Sequence, residues 1–97
     1  MTFHHASIDE FRENSDTFLW AYYTLMMEKI SEAHRDGLGM ATICTVYFHD
    51  YNFELLFESD RVDWETHLGT ALAHFEKVEA YVQCAAVRDL IKEVKRG

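Results

Sequence analysis

A chain of 97 residues, 48% hydrophobic and 14% aromatic, can build one hydrophobic core. That excludes both a multidomain architecture and a disordered acidic tail. The net charge of −8 excludes a protein that gains its affinity by neutralising phosphates, so direct nucleic-acid binding is not expected.

The negative charge is concentrated in the middle. Residues 36–76 carry eight carboxylates and one cation, Arg61, and so net −7. Self-repulsion works against packing like charges together. Such a concentration serves solubility, or it presents a negative surface to a basic partner. The chain has no proline and four glycines, which predicts long regular elements and few loops. Met1 is followed by Thr-Phe-His-His, without the basic and apolar regions of a signal peptide. No stretch reaches transmembrane length, so a cytoplasmic protein with no membrane partner is expected. Cys44 and Cys84 are then reduced, buried thiols.

Thr2-Phe3-His4 can add a short edge strand. Ser7 with Glu10 forms a capping-box pattern. Apolar residues from Ile8 to Ala33 follow helical spacing. Asn14-Ser15-Asp16-Thr17 are poor helix formers, so the helix is expected to break there and recap at Asn14 or Ser15. Gly37 and Gly39 end it. Residues 40–48 are β-branched and aromatic and read as a strand. His49-Asp50-Tyr51-Asn52 reads as a turn. Phe53 to Glu58 alternates, with Phe53, Leu55 and Phe57 on one face and Glu54, Leu56 and Glu58 on the other.

A helical region starts at Ser59 or Asp60. Its apolar residues run from Trp64 to Val94 in helical phase, with a bend near residues 79–84. The predicted fold is therefore α+β in a single domain, 1–97. It has an N-terminal helix or broken helix, an antiparallel hairpin, and a long C-terminal helical segment packed on the sheet. Phe11, Leu25, Ile43, Leu55, Phe57, Leu68, Leu72, Phe75 and Val82 are the predicted core. Of Tyr22 and Tyr23, about 100° apart on a helix, one is expected to face outward.

The candidate functional set is acidic. Glu54 and Glu58 share one strand face, and Asp60, Asp63 and Glu65 follow at the strand-to-helix junction. Asp9, Glu13 and Asp16 fall at i, i+4 and i+7, one face of an unbroken helix. Carboxylates spread along an edge can approximate the phosphate track of DNA. Glu76, Glu79, Asp89 and Glu93 are interleaved with cations, whose helical spacing should partly cancel their field.

No zinc spacing surrounds His67 or His74, and no metal or cofactor is expected. No catalytic motif accompanies either cysteine, so no enzyme is expected. The reading from residues alone leaves two functions open: a mimic of nucleic acid, or an acidic protein-interaction module, including a homodimer.

The run from MTFHHASIDEFRENSDTFLW through HDYNFELLFESDRVDWE resembles the anti-CRISPR proteins of phages and mobile elements, among them inhibitors of the type I-F system. The resemblance implies a bacterial host cytoplasm and a non-enzymatic inhibitor. It implies binding to the type I-F surveillance complex at the subunits that grip target DNA, in the manner of a DNA mimic. The family shares no motif, so the resemblance transfers no residue roles.

Overall fold

The computed structural model describes residues 2–5 and 15–96. Ser7, Asp9, Glu10, Phe11 and Glu13, with the expectations attached to them, lie outside the described residues. The element order is β1 (Thr2–His5), α1 (Ser15–Arg35), β2 (Met40–Phe48), β3 (Phe53–Asp60), a 3₁₀ turn (Arg61–Asp63), α2 (Trp64–Lys77) and α3 (Tyr81–Arg96). The fold is α+β, as predicted. The sheet order is β1-β2-β3, with β2 central. β2 and β3 form the antiparallel hairpin, while the edge strand β1 runs parallel to β2.

Residues 49–52 close the hairpin, with Phe48 opposite Phe53. Asn52 takes a left-handed backbone (φ 48°), which Asn tolerates better than most residues. Ile43 is the extra residue of a β-bulge between Thr42 and Cys44. The bulge shifts the alternation: Ala41 is buried before it, Ile43 at it, and Cys44, Val46 and Phe48 after it. One sheet face therefore stays continuous with the core along all of β2.

Helix α1 buries Phe18, Met26, Ile30 and Ala33, one stripe at helical spacing. Helix α2 buries Trp64, Leu68, Ala71 and Phe75, and α3 buries Cys84, Val87 and Leu90. Together with the inner face of β2 these make one core. Both cysteines are free and buried. Tyr22 and Tyr23 are both half-buried, so neither faces fully outward. Tyr22 packs on Phe57 at 5.4 Å, while Tyr23 meets His74 at 5.1 Å between ring centres.

Two predicted core residues are not in the core. Val82 is 80% exposed and Leu55 39% exposed. Val82 is displaced because the C-terminal helical region is two helices. Residues 78–80 break it, and the apolar phase restarts at Cys84. Leu55 is on the inner face, opposite Val46, but β3 is an edge strand and α1 packs chiefly on β2. Phe57, further along β3, is covered by the rings of Phe18 and Tyr22.

Two helix ends use the same device. After α1, Gly37 (φ 72°) is left-handed, Leu38 N–H donates to the Ala33 carbonyl, and Gly37 N–H to that of His34. After α2, Glu79 (φ 58°) is left-handed, Ala80 N–H donates to the Phe75 carbonyl, and Glu79 N–H to that of Glu76. Both are Schellman caps. Only the first has the residue that this conformation favours. Glu79 lies between the negative end of the α2 dipole and the positive end of that of α3, so its charge is roughly neutral there and the backbone decides. Glu79→Gly is therefore expected to stabilise the protein by about 0.5–1 kcal/mol, and Gly37→Ala to cost about 1 kcal/mol. A Cβ at Gly37 meets nothing within 4 Å, so its cost is backbone strain alone. Urea melts of the two variants give the signs directly.

Burial pushes the Cys44 thiol above its ordinary value. Burial also raises Tyr22, with Cys44 and Tyr23 beside it adding to the shift. A thiol whose folded value is raised contributes its full stability below the unfolded value, about 8.5, and loses it as pH rises further. Stability is expected to fall from about pH 8.5 upward, because the unfolded chain sheds the proton first. Denaturant melts from pH 7 to 9.5 measure this, and Cys44→Ala is expected to flatten the fall.

Candidate anionic interface

Glu54, Glu58 and Asp60 are all exposed on β3. Strand alternation puts them on one face, at i, i+4 and i+6. The spacing is about 13 Å from Glu54 to Glu58 and about 7 Å from Glu58 to Asp60. Single-strand phosphates rise about 3.4 Å each, so these steps are close to four and two phosphate intervals.

The register supplies their neighbours. Tyr47 lies opposite Glu54, Thr42 opposite Glu58 and Met40 opposite Asp60. None of the three is cationic. Sequence reading missed this, because register across a hairpin decides it and composition does not. Among the described residues no Lys, Arg or His forms an ion pair with Glu54, Glu58, Asp60 or Asp63. At the Glu54 end the face carries a small ring cluster. His4 Nδ1 lies 3.2 Å from His49 Nε2, and the Tyr47 hydroxyl donates to Asn52 Oδ1.

The row continues around the corner. Asp60 precedes the 3₁₀ turn and Asp63 precedes α2, yet neither side chain makes a capping hydrogen bond. Their carboxylates are thus not consumed by local backbone donors. No family model matches the chain, and no curated protein or solved structure matches it.

The other predicted acids separate from this row. Glu65 lies in the first turn of α2 and pairs with Lys95 at 3.2 Å. It is exposed, but a cation from α3 partly neutralises it. Asp16 is exposed at the start of α1, in a recess with Trp20, His74 and Lys77. That recess is at the C-terminal end of α2, about 20 Å along its axis from Asp63. Asp16 and the β3 row therefore do not share one contact patch.

The expected cancellation among the C-terminal acids also differs in detail. Glu76 pairs with Arg88 at 3.6 Å, between helices rather than within one. Asp89 and Glu93 have no ion pair among the described residues. Folding α2 against α3 overrides the i, i+4 pairing that sequence spacing suggests.

His67 is tied to the corner rather than open to solvent chemistry. Its Nδ1 lies 2.6 Å from the hydroxyl of Ser59, which is 1% exposed. Trp64 Nε1–H donates to the Ser59 carbonyl at 2.9 Å. These bonds fix the end of β3 to the first turns of α2, and so hold Asp60 and Asp63 in place. His67→Ala leaves a buried hydroxyl without its partner, at a cost of about 1–3 kcal/mol. Partner binding is expected to survive that change at temperatures below the lowered Tm. Among the described residues no group of three or more potential ligands could hold a metal, and no helix is long and apolar enough to cross a membrane.

Proposed function

We propose that this protein is a non-enzymatic inhibitor that occupies the DNA-gripping surface of the type I-F CRISPR surveillance complex as a DNA mimic, in the bacterial cytoplasm. One observation carries the reading: Glu54, Glu58 and Asp60 form an exposed row on one strand face, with uncharged cross-strand neighbours. The sequence resemblance supplies the target. A groove lined by Lys and Arg holds phosphates by charge-assisted contacts, and a carboxylate row competes for the same cations. Because β3 is paired along β2, the row is ordered before binding, which lowers the entropic cost of association.

The test is mutual exclusion. The immobilised protein should retain the type I-F complex from a bacterial lysate. It should not retain complex already loaded with duplex target DNA. Equal retention of both would refute the mimic reading.

The alternative is an acidic interaction module or homodimer without mimicry. The exposed apolar side chains of Phe53, Leu55 and Leu56 on an edge strand favour it. The same strand carries an obstacle. Antiparallel pairing of two β3 strands centred on Leu56 sets Glu54 of each copy opposite Glu58 of the other, and like charges directly opposite are destabilising. Sedimentation equilibrium should show a monomer at micromolar concentration.

A further inference from the structure

A groove of about 410 Å³ runs between α1 and α3, away from the sheet row. From α1 it is lined by Thr24, Met27, Glu28 and Ser31. From α3 it is lined by Ala86, Asp89, Leu90 and Glu93. Each set falls at i, i+3, i+4 and i+7, a stripe two turns and about 10 Å long. Two such stripes side by side are what a pair of helices offers to a third helix.

The chemistry of the groove specifies the third helix. Leu90 is buried and Met27 half-buried, so the floor is apolar. Ala86 and Ser31 are small and permit close backbone approach. The Thr24 hydroxyl is already bonded to the Trp20 carbonyl at 2.8 Å. The walls are acidic. Glu28 is exposed on one side, Asp89 and Glu93 on the other. None of these carboxylates is in an ion pair among the described residues.

Two cations of α3, Arg88 and Lys95, reach across to Glu76 and Glu65 of α2, while its acids Asp89 and Glu93 line the groove. Asp89 and Glu93, one turn apart, repel each other unless a cation lies between them.

We infer that the α1–α3 groove docks a helix of a partner protein, with an apolar stripe flanked by Lys or Arg. Phosphate-bearing ligands are excluded by the carboxylate walls. The inference does not depend on the function assigned to the β3 row.

A synthetic helical peptide of about fifteen residues, with Leu at i, i+3, i+4 and i+7 and Lys on both flanks, is the probe. Its binding is read by fluorescence anisotropy against the intact protein, and its site by amide chemical shifts. Binding should perturb residues 24–31 and 86–93. The variant Glu28→Gln/Asp89→Asn/Glu93→Gln should weaken it about tenfold, as loss of several rim charges implies. Ala86→Phe, which fills the groove without changing charge, should weaken it comparably. The variant Asp36→Asn/Asp50→Asn/Glu79→Gln lowers the charge equally elsewhere and should leave affinity within about twofold. Absence of binding, equal weakening by the two charge variants, or equal binding of a peptide with Glu in place of Lys would overturn the inference.

Discussion

Trp64→Ala is expected to produce the largest loss of stability of any single truncation at the corner between β3 and α2. The side chain is 1% exposed, its indole N–H is bonded to the Ser59 carbonyl, and the His34 ring meets it edge-on at 6.3 Å. Truncating a buried Trp costs about 3–5 kcal/mol through lost burial and the cavity left behind. The Ser59 carbonyl loses its donor as well. For a domain of this size each kcal/mol lowers Tm by about 4–8 °C, so a drop of about 12–40 °C follows. Small domains have about 5–15 kcal/mol in total, so the variant keeps only a narrow margin. Trp64→Phe keeps most of the volume and loses the hydrogen bond, at about 1–2 kcal/mol. Calorimetry of both variants separates cavity from hydrogen bond. A drop of only a few degrees for the Ala variant would mean that Trp64 is not the anchor of this corner.

The second large effect is on binding. The variant Glu54→Lys/Glu58→Lys/Asp60→Lys is expected to lose partner binding altogether. Truncating one carboxylate desolvated against a target cation costs about 2–5 kcal/mol, and reversal adds repulsion. Fold stability should hold or rise. Each reversal changes the charge by two, so the net charge goes from −8 to −2 and self-repulsion falls. The side chains are exposed, and no described hydrogen bond or ion pair is lost. The matched variant Glu32→Lys/Glu76→Lys/Glu79→Lys changes net charge equally and is expected to bind. Retained binding by the folded β3 variant, or equal loss by both, would remove this face as the interface.

Much of the fold is legible in the sequence because its signals are local. The β-branched run 40–48, the Asp and Asn of the turn and the alternation after it give the hairpin. Gly37 gives the end of α1. The break between α2 and α3 is only half legible. A bend is expected near residues 79–84, but the cap is built on Glu79 with neither glycine nor proline to mark it. Val82 is in phase with α2 but not with α3, whose buried stripe starts at Cys84.

Leu55 shows a different limit. Alternation gives the face of a strand, but how far the helices extend over that face is a tertiary fact. The candidate site divides in the same way. The β3 row follows from periodicity, while the neutrality of Thr42, Tyr47 and Met40 beside it needs the hairpin register. The loss of Glu65 to Lys95 needs the packing of α3 on α2.

On the proposed function, the β3 face and duplex DNA compete for the same cations. The most direct measurement is the apparent Kd of duplex target DNA for the purified type I-F surveillance complex, titrated against rising concentrations of this protein at fixed salt. Competition for one surface predicts that the apparent Kd rises linearly with inhibitor concentration without a plateau, and that the Glu54→Lys/Glu58→Lys/Asp60→Lys variant leaves it unchanged. An apparent Kd that reaches a plateau, or that never moves while the protein stays bound to the complex, would contradict the claim.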